Sequence, residues 1–266
     1  MSLPDLNEDA VRAGLGPEKE TLHLVIAETV DSTNERLLHL AAEGMPGGYC
    51  LVALTQTAGR GRQGNRWLSD SHGSLTFSLL WRFDHRTLPQ LSGLSLAVSL
   101  ALARGLDDIG IDGLALKWPN DLQRHGRKIA GILVETAETA ATGAAAVIGI
   151  GLNVRLDDLL ADSLPNPAYD LRDEQGRTPC RSDVLAAILR HLPPVLRQFD
   201  AEGFIPFQAE WLSRSAHRER TIRITLPDRR VETGVCAGLT GEGALLLKQG
   251  ERITPFLAGD VSLRLN

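Results

Sequence analysis

Residues 73–83 read GSLTFSLLWRF. Leu75, Phe77, Leu79 and Trp81 alternate with Thr76, Ser78 and Leu80, the period of a strand with one face in a core. Just before it, YCLVALT (49–55) is a second apolar run. Between the two lies TQTAGRGRQGNRW (55–67), with three glycines, three arginines and no acidic residue. A flexible cationic segment therefore joins two strands. Gly59, Gly61 and Gly64 let backbone N–H groups approach a ligand. Arg60, Arg62 and Arg66 carry donor forks suited to phosphate or carboxylate. Neither GxxxxGK[ST] nor a GxGxxG in strand-to-helix context is present. Taken by itself, the stretch would serve equally as a solvated connector.

Outward from this pair, LHLVIA (22–27) reads as a strand. DSTNERLLHLAAEG opens a helix through a capping box, with Ser32 as N-cap and Glu35 at N3, and Gly44 ends it. Residues 88–109 are apolar on more than one face, which predicts a helix buried under a sheet. LALKW, KIAGILVET and AAAVIGIGLNV supply three more strands. Residues 155–181 read as a long loop. The helix begun by SDVLAAILRHL should break or kink at Pro193 and Pro194. Beyond about residue 218, TIRITL, VETGVCAGL, GALLLKQ, ERITPFL and DVSLRL predict a small all-β barrel. The expected organisation is α+β: a polar lead-in over 1–20, a catalytic domain over 21–217 and a barrel over 218–266.

With 266 residues and 43% hydrophobic content, the chain can bury a large core. Its formal net charge of −5 argues against a protein that coats nucleic acid. Cys50, Cys180 and Cys236 form no CxxC and the histidines no HExxH, so neither a disulfide framework nor a zinc site is indicated. No long apolar run or basic leader occurs, and a cytoplasmic protein without a membrane partner is expected.

Three further stretches bear on chemistry. ALKWPNDL (115–122) sets Lys117, Asn120 and Asp121 around a Trp-Pro, although a Pro-Asn-Asp turn favours the same residue types. Lys128 leads into an apolar strand, where its ammonium could face a reacting anion or snorkel to water. Gly149 and Gly151 weaken a strand unless something must approach it closely or it bulges.

In the order DSTNE, QTAGRGRQGNRW, KWPND, GRKIAGILVE and GIGLNV, followed by GALLLKQG and GDVSLRL, the chain resembles the biotin protein ligases, or biotin–[acetyl-CoA-carboxylase] ligases, over essentially 22–266. The resemblance implies a class II synthetase-like catalytic domain, its mixed sheet flanked by helices, followed by an SH3-like barrel. It implies a two-step reaction. Biotin carboxylate attacks the α-phosphate of ATP and releases pyrophosphate, and a carrier lysine then takes the biotinyl group and releases AMP. By the same resemblance Lys128, Arg60, Arg62 and Asp121 are catalytic, with Lys128 bridging carboxylate and phosphate. Ser32, Thr33 and Gln56 hold biotin's polar head, the segment from Arg60 to Arg62 folds over biotin and phosphate, and Asn34, Gly59, Gly61 and Trp67 also bind the ligands. Asn120 supports the phosphate or Mg²⁺ side; Gly131, Leu133 and Gly149 line the wall; Asn153 adjoins it. Arg264 reaches the nucleotide and Tyr169 the adenine. The implied ligands are biotin, ATP and Mg²⁺, and the implied partner is the biotin carboxyl carrier protein of acetyl-CoA carboxylase. A homodimer through the catalytic sheet is the assembly it suggests. Without the helix-turn-helix domain of the ligase-repressors, an enzyme that does not bind DNA is expected. Lipoate or octanoyl ligases are the nearest alternative, but GRGRQG together with KWPND is the biotin-type pattern. A non-catalytic, DNA-acting biotin sensor is disfavoured by the acidic balance.

Overall fold

The computed structural model describes residues 6–137, 143–157, 161 and 168–263. Seven strands form one mixed sheet: β1 (His23–Val30), β2 (Tyr49–Gln56), β3 (Ser74–Phe83), β4 (Leu114–Lys117), β5 (Asp121–Arg124), β6 (Arg127–Ala137) and β7 (Ala144–Asn153). Their order is β1-β2-β3-β7-β6-β5-β4. β1 and β2 run parallel, which requires a crossover, and α2 (Thr33–Ala42) supplies it. The other neighbours are antiparallel.

The alternation in β3 separates the two faces of this sheet. Leu75, Phe77 and Leu79 join Val52, Ile132, Ile148, Ile150 and Leu152 in the main core, under α3 (Leu94–Asp108) and α4 (Arg181–Glu202). Each such side chain, fully buried, contributes roughly 1.5–3 kcal/mol. On the other face Leu51, Leu80, Ala145 and Val147 pack with Leu37 and Ala41 of α2. Farther along that face the apolar cover stops, leaving Thr76, Ser78, Gly149 and Gly151.

Helix α2 starts at Ser32, whose hydroxyl accepts from the Glu35 N–H. The reciprocal half of the expected box is not made: the Ser32 N–H donates to Asp31 Oδ1 at 2.8 Å, and Glu35 turns to Arg60. The helix ends as expected at Gly44, with φ +87, where the N–H groups of Met45 and Gly44 donate to the carbonyls of Leu40 and Ala41.

Two expectations are corrected. The lead-in over 1–20 contains α1 (Glu8–Gly14), capped by Asn7 and followed by a 3₁₀ turn, with Val11 and Leu15 fully buried. Two apolar residues four apart are too few to stand out among polar neighbours, yet they suffice to seat one turn on a core. Pro193 and Pro194 do not end a helix, since α4 runs through both. Leu192, Val195, Leu196 and Phe199 are buried around them, and this packing outweighs the lost backbone hydrogen bonds. Small residues let α4 sit close to its neighbours: a Cβ on Gly105 of α3 would press on the Ala187 and Ile188 backbone.

After α5 (Gln208–Ser213) come β8 (Thr221–Thr225), β9 (Val231–Leu239), β10 (Leu245–Gln249), β11 (Arg252–Phe256) and β12 (Asp260–Leu263). They form the SH3-like antiparallel sheet, ordered β11-β10-β9-β8-β12. All five segments read as strands from sequence are strands.

Candidate active site

The uncovered part of the sheet floors a cavity of about 390 Å³. Register explains its composition. Across the strands, Thr76 pairs with Gly151, Gly151 with Gly131, Gly131 with Asp121, and Asp121 with Lys117. In the next row Ser78 pairs with Gly149 and Gly149 with Leu133. The glycines thus lie side by side and bare the backbone. Other groups occupy the space a side chain would fill: a Cβ on Gly151 would collide with the Trp67 indole, and one on Gly149 with the Asn34 amide.

A polar network closes one end of the cavity. Gln56 Oε1 accepts from the Thr33 N–H at 2.8 Å and from the Thr33 hydroxyl at 3.1 Å. The single proton of the fully buried Ser78 hydroxyl is shared between Thr33 Oγ1, at 2.7 Å, and Asn34 Oδ1, at 2.5 Å. Asn34 Nδ2 donates to Glu135 at 2.8 Å. Strands β1 and β2 end together here, delivering the α2 N-terminus and Gln56 to the same point.

The other end is cationic. Among the described lining residues there are Arg62, Arg66, Lys117 and Lys128, against one carboxylate, Asp121. Lys128 Nζ lies 2.6 Å from Asp121 Oδ1, and Lys117 Nζ 3.7 Å from Asp121 Oδ2. The KWPND turn is anchored from behind. Trp118 is buried and donates to the Gly243 carbonyl of the SH3-like unit, while Asn120 donates to Ile132 O and accepts from Arg62 Nη1 at 3.0 Å. Thr225 and Val261 bring that unit into the cavity wall. Beside this junction, burial holds the His217 imidazole pKa below its usual value, and the positive charges of Lys117 and Arg220 act in the same direction.

The flap over the cavity is a short folded segment. Arg60 and Arg66 pair across it, the Trp67 N–H donates to Gly59 O, and Gln63 and Gly64 both take positive φ at its tip.

Residues 26–153 match the biotin/lipoate A/B protein ligase family, and residues 217–264 match the biotin protein ligase C-terminal domain. The bifunctional ligase/repressor of Escherichia coli is 34% identical over 241 residues, which is 91% of this chain and 74% of that protein. The biotin–[acetyl-CoA-carboxylase] ligase of Mycobacterium tuberculosis is 31% identical, covering 97% of this chain and 96% of its own length. The structure of the Aquifex aeolicus biotin protein ligase in complex with biotin and ATP superposes with a TM-score of 0.77 at 30% identity, over 92% of this chain and 99% of that one.

The chain belongs to the biotin protein ligase family. In this ligase Ser32, Thr33, Asn34, Gln56, Arg60, Gly61, Arg62, Trp67, Asn120, Asp121, Lys128, Gly131, Leu133 and Gly149 all line the one cavity. Gly59 and Asn153 do not. Gly59 lies at the base of the flap, where a Cβ would press on Trp67 O, and the Asn153 amide is tied to Tyr169 O at 3.2 Å. Tyr169 is also outside the lining, its ring covered by the Arg127 guanidinium at 3.8 Å. Arg264 lies outside the described residues.

Arg60 also has protein partners that its motif did not suggest: its guanidinium is held by Glu35 at 2.7 Å and by both oxygens of Glu135 at 2.8 Å. Sequence reasoning gave no site role to Thr76, Ser78 or Glu135, and read Glu35 only as a helix cap. The alternation in GSLTFSLLWRF does set Thr76 and Ser78 apart from the apolar face, and that is the signal that could have found them.

Proposed function

We propose that the cavity takes biotin against the bare sheet and ATP on its cationic side. The chain is a biotin–protein ligase: with ATP it forms biotinyl-5′-AMP and attaches the biotinyl group to protein. Biotin protein ligases act on the biotin carboxyl carrier protein, and in our reading the acceptor here is that of acetyl-CoA carboxylase.

One observation carries the residue assignment: a neutral hydrogen-bonding end and a cationic end share one cavity over a glycine floor. With its carbonyl committed to Thr33, Gln56 presents its amide N–H groups to the ureido head of biotin, and Ser32 and Thr33 complete that end. Biotin's chain then runs over Gly149 and Leu133 toward Lys128. The first step joins two anions. At about 4 Å and an effective dielectric near 20, two unit charges repel by about 4 kcal/mol, so the cations decide whether the encounter occurs. Lys128 takes the carboxylate and α-phosphate oxygens as one forms the bond and pyrophosphate leaves. Arg62, fixed by Asn120, and Arg66 hold the polyphosphate. In the second step Asp121, released as Lys128 turns to the phosphate, orients the carrier lysine amine for attack on the acyl carbon; the amide forms and AMP leaves.

Mg²⁺ is part of this reading. Among the described residues no group of three or more His, Cys, Asp or Glu could hold a metal, and Asp121 is the only carboxylate among the described lining residues. The ion would therefore be carried mainly by phosphate oxygens, with Asp121 and Asn120 nearest on the protein, and would neutralise their charge.

The test is pyrophosphate release by the full chain, together with transfer of labelled biotin to a carrier-domain lysine. We expect both to require biotin, ATP and Mg²⁺. No pyrophosphate with biotin, or equal turnover with lipoate, overturns the reading.

A further inference from the structure

We infer that Glu35 and Glu135 form a carboxylate clamp on Arg60 that holds the flap shut and keeps biotinyl-5′-AMP on the enzyme between the two half-reactions. This rests on the reading of the cavity as the adenylate site. It makes Arg60 a positioning residue and assigns a role to two acidic residues outside the cavity lining.

The geometry is specific. Arg60 Nη1 contacts Glu35 Oε2 at 2.7 Å, and Nη2 contacts Glu135 Oε1 and Oε2, each at 2.8 Å. Glu35 stands in the first turn of α2 and Glu135 near the far end of β6, so one flap side chain is fastened to two separate elements at one end of the site. Glu135 also accepts from Asn34 at 2.8 Å, and Asn34 in turn accepts from buried Ser78. The clamp is therefore continuous with the polar network at the end assigned to biotin.

The charges support holding rather than catalysis. One guanidinium between two carboxylates leaves a net charge of −1, which repels an approaching carboxylate or phosphate. Arg60 thus adds nothing to neutralising the reactants, a task left to Lys128, Lys117, Arg62 and Arg66. A planar guanidinium held by two carboxylates is, by contrast, a strong and directional tether. The pairs are partly exposed, with side-chain accessibilities of 39% for Arg60 and Glu35 and 28% for Glu135. Such a latch can open when the carrier lysine must enter, and salt weakens it.

The experiment uses the full chain and the isosteric variants Glu35→Gln and Glu135→Gln. Enzyme is loaded with radiolabelled biotinyl-5′-AMP, and its escape is followed by rapid gel filtration against unlabelled adenylate. Pyrophosphate formed per carrier lysine modified is measured alongside. Removing one charged hydrogen-bonding partner should raise the escape rate on the order of tenfold in Glu135→Gln and less in Glu35→Gln. The pyrophosphate-to-biotinyl-lysine ratio should rise above that of the parent enzyme. Escape from the parent should quicken with added salt and escape from the double variant should respond less. An unchanged escape rate and ratio in both variants overturns the clamp, as does slower adenylate formation with retention intact. If Glu135→Gln does not fold, Glu35→Gln, at a partly exposed helix position, decides alone. Failure of the functional reading itself looks different, because the parent enzyme would then release no pyrophosphate with biotin.

Discussion

The two faces of the seven-stranded sheet are built from the same strands and do opposite work. Toward α3 and α4, every second residue of β3 from Leu75 to Phe83 is a large apolar side chain in the core, as are Ile148, Ile150 and Leu152 of β7. Toward the flap, the intervening residues are Thr76, Ser78, Gly149 and Gly151, which offer hydroxyls and bare backbone instead of hydrocarbon. The contrast teaches that the period-two pattern partitions stability and chemistry within one element. A site need not be carried on loops when the alternate face of a core strand can be left uncovered.

The largest effect that could break this comparison is expected at Lys128. Lys128→Ala should slow adenylate formation about 100- to 1,000-fold while the urea midpoint stays near that of the parent. Native-rate pyrophosphate release would show that the cationic end is not where the reaction happens. Next is the core face: Leu79→Ala should cost about 2–5 kcal/mol in urea denaturation and leave the KM for biotin unchanged. A raised KM there would mean that the faces are not separate. Smallest, and sharpest as a probe of the floor, is Gly149→Ala. Its new methyl displaces Asn34, and the KM for biotin should rise on the order of tenfold with the fold retained. An unchanged KM would place biotin elsewhere.

The strands were legible because alternation and β-branched runs are local. This is why β3, β6, β7 and all five strands of the C-terminal sheet could be read directly. Strand β5, whose sequence is DLQR, has no such run and exists only through its pairing with β4 and β6. Helix α1 was missed for a similar reason, since its case rests on Val11 and Leu15 meeting α4 from far away in sequence. At the site, the motif residues converge because DSTNE, the flap and KWPND follow strand ends, while Lys128, Gly131, Leu133 and Gly149 lie on the open face of β6 and β7. The partners of Arg60 were not legible. Glu35 looked like a reciprocal helix cap, but Asp31 already serves the Ser32 N–H, and the guanidinium offers the Glu35 carboxylate a stronger contact. Pairing register, which a single sequence does not encode locally, also decides that Gly131 faces Gly151 and that Thr76 lies beside them.

Helix α1 has a practical consequence for anyone who would trim this enzyme. A truncation starting at residue 21 looks safe on composition, yet it would strip Val11 and Leu15 from the interior and leave Arg197 without Glu18, its partner at 2.6 Å. The face of α4 so uncovered belongs to the helix whose other contacts support β3 from below. A shortened chain would therefore lose rigidity in the very strand that holds Ser78 against Thr33 and Asn34.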